Sequence, residues 1–218
     1  MLQRTDYKTK IPKIDASFED VKTTLNQPTG NFFYDPWEIK PEFKGTVWEK
    51  LIKSLPTQHG EARVIVMQPG TTYMAHADID NRWHLSLQSE QGYLIDLENS
   101  NMHLLEQDGY WYYMDAGRIH SASNYGSIAR IQLVVRELLT ASTNSNLVQV
   151  TIKPATTQYD YRYKFDNIVS PWLNKANLNN SIKDFEFENE IVRFKTSIVE
   201  MTDLKLTKDF KIAVDSVS

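Results

Sequence analysis

Hydrophobic and polar positions along this chain follow one period up to about residue 60 and another beyond it. In the earlier part the spacing is helical. Ser17 followed three residues later by Asp20 resembles a capping box, Phe18, Val21 and Leu25 form an apolar stripe, and Pro28 and Gly30 close the segment. A second helix is predicted from Thr46, with Glu49 three positions on, Val47, Leu51 and Leu55 at successive i+4 steps, and Pro56 as the stop. Both read as packing helices.

From residue 62 the pattern is that of strands. The β-branched run at 63–67 ends at Pro69-Gly70, which is turn chemistry, and further strands are predicted at Arg82–Gln88, 93–97, Tyr110–Met114 and 128–136. Short strands at this spacing point to a sandwich or a small barrel. In two of them alternation separates the faces: Arg82, His84, Ser86 and Gln88 oppose Trp83, Leu85 and Leu87, and Arg130 and Gln132 oppose Ile131, Leu133 and Val135. A polar face turned to water is one reading. The other is an interior that holds a charged ligand, and it is preferred because each polar face carries an arginine. The aromatic run Tyr110, Trp111, Tyr112 and Tyr113 reads as a half-buried strand, with Trp83 and Trp111 in the core.

After about residue 141 the composition changes. A polar linker at 141–146 leads into a strand-like run at 147–152, then Tyr159, Tyr161 and Tyr163 in alternation, and Pro171-Trp172-Leu173 as the opening of a short helix. Two domains are therefore expected, 1–140 and 141–218. The second is a small α+β appendage serving as a lid, a substrate platform or a dimer surface.

Composition narrows the chemistry. The chain has 218 residues and no cysteine, so disulfide frameworks, thiolate metal sites and cysteine nucleophiles are excluded, and any metal must be held by His, Asp or Glu. A net charge of −4 gives no basic footprint for nucleic acid. No stretch approaches the ~20 apolar residues that span a bilayer, and the mean hydropathy is −0.48. The expectation is a soluble, cytoplasmic protein. Phosphate loops of the G-x-x-x-x-G-K type, G-x-G-x-x-G and G-x-S-x-G are all missing from the sequence.

The candidate chemistry lies between residues 69 and 130. His76 and Asp78 are two apart, so in extended backbone both point to one side with Cα atoms about 6.5 Å apart, and one metal ion can bridge them. His120 would complete the set from a distant strand. Two imidazoles and a carboxylate are the ligand set of a mononuclear non-haem Fe(II) centre, which keeps further positions open. The local alternatives are that His76 and Asp78 only bond to each other or to the turn after Gly70, and that His84 competes with His76 for the metal. Asn124 is expected to brace the turn after His120, and His59 and His103 lie in loop-like sequence with no role assigned.

In order and spacing, P-G-x5-H-x-D-x3-R-x-H-L over Pro69 to Leu85 and H-S-A-x-N-x5-R over His120 to Arg130 resemble the aspartyl/asparaginyl β-hydroxylase and proline-hydroxylase branch of the 2-oxoglutarate, Fe(II)-dependent oxygenases. The resemblance spans roughly residues 30–137. It implies a double-stranded β-helix core (jelly roll, cupin-like) with N-terminal flanking helices, holding Fe(II) on His76, Asp78 and His120. It also implies that Arg130 takes the far carboxylate of 2-oxoglutarate, with Arg82 and His84 near the keto-acid end. A guanidinium suits that task because it is a planar two-pronged donor that stays charged. The implied activity consumes 2-oxoglutarate and O2, releases succinate and CO2, and hydroxylates an amino acid, free or within a peptide. Some β-hydroxylases of this branch lack the acidic ligand, so Asp78 makes this chain more like the proline-hydroxylase relatives at the metal. A cupin-like isomerase or hydrolase and a non-catalytic jelly-roll binding module are the alternatives. A homodimer is a further expectation about partners.

Overall fold

The computed structural model describes residues 2–14, 22–30, 32, 35–76, 78, 80–97, 99–116, 118–138, 143–155, 165–170, 173, 182–198 and 210–217. The chain is mainly β and its sheets are antiparallel. It divides into two compact units, Met1–Leu138 and Leu139–Ser218.

The first unit runs β1 (Leu2–Lys8), β2 (Lys22–Thr24), β3 (Asn26–Pro28), β4 (Trp37–Ile39), a 3-10 turn (Pro41–Phe43), α1 (Val47–Lys53), β5 (His59–Met67), β6 (Thr71–Thr72), β7 (Arg82–Gln88), β8 (Gly92–Asp96), β9 (Asn101–Leu104), β10 (Tyr110–Met114), β11 (His120–Asn124) and β12 (Arg130–Glu137). A six-stranded sheet has the order β1-β10-β7-β12-β5-β2, and a four-stranded sheet the order β6-β11-β8-β9. Every strand predicted from the alternating stretch between residues 63 and 136 is present, with shifts of a few residues at the ends.

The expected helices need correction. Residues 15–21 of the first lie outside the described residues, but 22–24 form strand β2, and Leu25 is a fully buried residue between β2 and β3. The second is present as α1, capped by Thr46, whose Oγ1 accepts from Trp48 N. Its inward face differs from the simple i+4 reading. Trp48, Leu51, Ile52 and Leu55 are buried, whereas Val47 is 41% exposed. The buried stripe mixes i+3 and i+4 steps, as a 3.6-residue period requires.

Register explains how the core forms. Trp83 lies opposite Val135, and Leu85 lies opposite both Leu133 and Trp111, so the inward residues of β7, β10 and β12 form continuous apolar rows. These rows pack with Leu25, Trp48, Leu51 and Ile52 in the main core. A smaller apolar cluster comprises Met67, Leu94, Tyr112, Met114 and Ala122 from both sheets. The six-stranded sheet is therefore covered on both faces.

In the second unit β13 (Thr143–Pro154), β14 (Lys183–Glu188), β15 (Ile191–Ile198) and β16 (Phe210–Ser216) form one sheet in the order β14-β15-β13-β16. The expected linker is thus strand from Thr143 onward. The tyrosine alternation at 159–163 and the helix opening at Pro171 fall outside the described residues. A single π-helical turn spans Phe165–Val169. Val150, Ile152, Val192 and Phe194 are buried in this unit. Among the described residues no helix is long and apolar enough to cross a membrane.

Candidate metal centre and anion pocket

A single pocket in the first unit collects the polar faces of β5, β7 and β12 together with the ends of β6 and β11; His76, Asp78, Arg82, His84, His120 and Arg130 all line it. The alternative of a polar face turned to water does not hold, since Arg82, His84, Arg130 and Gln132 are each less than 9% exposed.

His120 opens β11, and the chain after β6 runs beside it. His76 N donates to His120 O at 2.9 Å and His120 N to His76 O at 2.8 Å, so the two histidines face each other across an antiparallel bridge. Asp78 N donates to Ala116 O at 2.8 Å, which brings the carboxylate back over the pair. The imidazole centroids are 4.4 Å apart. Asp78 Oδ2 is 3.8 Å from Nε2 of both rings. Among the described residues these side chains form the group able to hold a metal, with ligand atoms all within 4.8 Å of one another. Two donors each about 2.1 Å from one metal lie at most about 4.2 Å apart, and the 3.8 Å from Asp78 Oδ2 to each Nε2 falls within that limit. His84 is not part of the group.

The orientation of both rings is fixed from behind. His76 Nδ1 bonds Met74 O and His120 Nδ1 bonds Arg118 O, each at 2.8 Å. A carbonyl oxygen only accepts, so Nδ1 carries the hydrogen in each ring and the Nε2 lone pair is left for a metal. Burial pushes the His120 pKa down, which keeps that ring neutral. At Asp78 burial acts to raise the pKa, but Arg82 and the two histidines outweigh it and the carboxyl is lowered overall.

Arg82 is engaged elsewhere than expected. Its Nη2 lies 2.8 Å from Asp78 Oδ1 and 2.8 Å from Asp80 Oδ1. Asp80, 1% exposed, is also paired with Arg136. One oxygen of Asp78 is thus held by a guanidinium while the other faces the histidines. Arg82 acts on this site through Asp78.

Arg130 is 3% exposed and reaches from the six-stranded sheet to the four-stranded one. Nη1 donates to Tyr93 O at 3.0 Å and Ser123 O at 3.2 Å, and Nη2 donates to Gln132 Oε1 at 2.8 Å. Nε is buried without a partner. Burial pulls its pKa down to about 10, and no carboxylate among the described residues offsets that loss of hydration. An unpaired buried cation is costly.

His84 bonds Gln132 Oε1 through Nδ1 at 3.4 Å, and its Nε2 is buried without a partner. Burial, reinforced by Arg130, pushes its pKa down to about 3. Gln132 therefore links His84 to Arg130, a function the sequence reading did not assign to it, although its place on the Arg130 face was visible. Gly92 was missed as well. A Cβ there would sit 2.6 Å from Arg130 Cδ, so only glycine leaves room for the arginine to cross β8.

Asn124 braces the structure four residues later than expected. Residues 120–124 are strand, and Asn124 Nδ2 donates to Met67 O and Ile128 O, at 2.9 and 2.8 Å. It ties β11 to β5 and closes the turn that leads to Arg130. His59 opens β5 and His103 lies on β9, and neither approaches the pocket.

No curated protein matches the chain. Residues 41–138 match the family model described as aspartyl/asparaginyl beta-hydroxylase, a hydroxylase family, and that span holds every residue of the pocket. The pocket and its His-Asp-His group thus lie wholly within a stretch that is similar to the aspartyl/asparaginyl beta-hydroxylase family.

Proposed function

We propose that this protein is an Fe(II)- and 2-oxoglutarate-dependent dioxygenase that hydroxylates an amino acid, free or within a peptide, with release of succinate and CO2. In this reading the two sheets of the first unit are the halves of a double-stranded β-helix, a jelly roll. His76, Asp78 and His120 hold the iron. Two imidazoles and a carboxylate oxygen suit Fe(II) and leave neighbouring coordination positions for co-substrate and O2. The iron, when bound, supplies the oxygen chemistry that couples decarboxylation of 2-oxoglutarate to attack on a C–H bond.

The chain's own residues prepare that chemistry. The carbonyls of Met74 and Arg118 hold the histidine rings with Nε2 free. Arg82 occupies Asp78 Oδ1, which leaves Oδ2 as a one-oxygen ligand. Arg130 binds the far carboxylate of 2-oxoglutarate, with Gln132 and the carbonyls of Tyr93 and Ser123 fixing its fork. His84, neutral and beside Arg130, contacts the co-substrate, while Arg82 supports it through Asp78. Burial of Arg130, His84 and Gln132 keeps water away from the co-substrate end of the pocket.

The observation that carries this reading is Arg130: a buried guanidinium with no carboxylate partner among the described residues, in the same pocket as a His-Asp-His group. A dianion bridging the two offsets its charge. The test is anaerobic addition of Fe(II) and then 2-oxoglutarate, followed by air. A weak visible charge-transfer band and then succinate are expected. An isomerase or hydrolase would give neither, and a binding module would give the band without turnover.

A further inference from the structure

The proposed function leaves one pocket-lining cation unused, Arg63 on β5. We propose that Arg63 binds the α-carboxylate of the prime substrate, and that the substrate is therefore a free amino acid instead of a residue inside a protein chain. The proposal rests on the dioxygenase reading above.

Register gives Arg63 its place. On the pocket face of the paired strands Arg130 lies opposite Met67, whereas Arg63 lies opposite Val134. The two arginines are thus four residues apart along the strands, about 13 Å at ~3.3 Å per residue. A five-carbon diacid that spans from the histidines to Arg130 does not also reach that far along the sheet. Exposure sorts them too. The Arg63 side chain is 22% exposed and Arg130 is 3% exposed, so Arg130 is the deep anchor and Arg63 lies towards solvent, where a second ligand arrives.

Arg63 also has donors to spare. Its Nη1 is 2.9 Å from Glu61 Oε2, and its Nε is buried with no partner. Glu61 is shared with Lys22, which lies 3.0 Å from Oε1. Beyond Glu61, the nearby carboxylates are claimed by others: Asp78 by Arg82, and Asp80 by Arg82 and Arg136. Burial, followed by the charge of Arg82, pulls the Arg63 pKa down against the pull of Glu61, Asp78 and Asp80. A guanidinium offers a planar fork, and a substrate carboxylate is the partner that uses it best. A peptide-bonded residue inside a chain has no α-carboxylate to offer.

The test uses the full chain with Fe(II), 2-oxoglutarate and O2, and follows succinate release over the twenty L-amino acids, each offered as free acid and as carboxamide. At least one free acid should stimulate succinate release well above the rate without substrate, and its carboxamide should not. For that acid Arg63→Gln should raise KM roughly 30-fold, with the 2-oxoglutarate charge-transfer band still formed at the wild-type concentration. Arg63→Lys, which keeps the charge but loses the fork, should recover part of the loss. It also serves as the deciding variant if Arg63→Gln does not fold. Equal turnover of acid and amide, no stimulation by any free amino acid, or an unchanged KM in the variants would each overturn the proposal. A wild-type protein that forms no band would instead overturn the dioxygenase reading itself.

Discussion

On one face of the six-stranded sheet Trp83, Leu85, Leu87, Ile131, Leu133 and Val135 pack into the main core. On the other, Arg82, His84, Arg130 and Gln132 come from the same two strands and are withdrawn from water almost as completely. The first face lowers the free energy of folding by removing apolar surface from water. The second raises it, because buried polar groups cost unless paired. Arg82 is offset by Asp78 and Asp80, and His84 by neutrality, but among the described residues Arg130 has only neutral acceptors. What distinguishes a site from a core here is not depth but unbalanced charge at depth.

The sharpest way to break that contrast is at the metal ligands. Asp78→Ala or His120→Ala should abolish Fe(II) binding at stoichiometric metal, read by calorimetry, while far-UV circular dichroism stays that of the folded protein. Full retention of iron affinity would mean that the polar face holds no metal. On the apolar face, Leu133→Ala should cost about 2–5 kcal/mol of stability in denaturant titration, from lost burial plus a cavity. The folded fraction should still bind 2-oxoglutarate with wild-type affinity.

Arg130→Met should split the two properties. Co-substrate affinity should fall by about 2 kcal/mol or more, since a charge-assisted pair is lost. The stability of the metal-free, co-substrate-free protein should hold or rise, because the cation has no carboxylate to lose. A drop in both would mean that Arg130 supports the fold itself.

The smallest effect expected is one of pH. His84 stays neutral in the folded protein down to about 3, whereas in the unfolded chain it takes up a proton near 6.5. Its contribution to folding is complete above pH 6.5 and is withdrawn as pH falls from 6.5 towards 3, by at most about 1.4 kcal/mol per pH unit. Burial lowers His59 and His120 in the same direction. His84→Gln should therefore flatten, but not erase, the decline of the urea midpoint between pH 6.5 and 5. Identical slopes in the two proteins would show that His84 titrates normally.

Alternation made much of this readable in advance. The bounds of β7 and β10 are legible because one alternates polar and apolar residues with a period of two and the other is a run of aromatic residues, patterns that suit a pleated, half-buried strand. Strand β11 was not, since H-S-A-S-N has weak β propensity and becomes a strand only through pairing with β8 and β6. β2, Lys22-Thr23-Thr24, is hidden because the apolar spacing before it mimics a helix. The ordered motif located His76, Asp78 and His120, but nothing in it assigned Arg82 to Asp78 in preference to a co-substrate.

The sequence by itself determined which side chains are candidates for the chemistry, which face of each strand they share, and that any metal must be held without thiolates, because these follow from residue identity and the two-residue period of a strand. Only the tertiary structure decided that His76 and His120 meet across a bridge, that Arg82 is occupied by Asp78 and Asp80, and that Arg130 and Arg63 retain donors. Those outcomes depend on which distant strands pair and on which charges neighbour one another, and register is set by the packing of whole sheets.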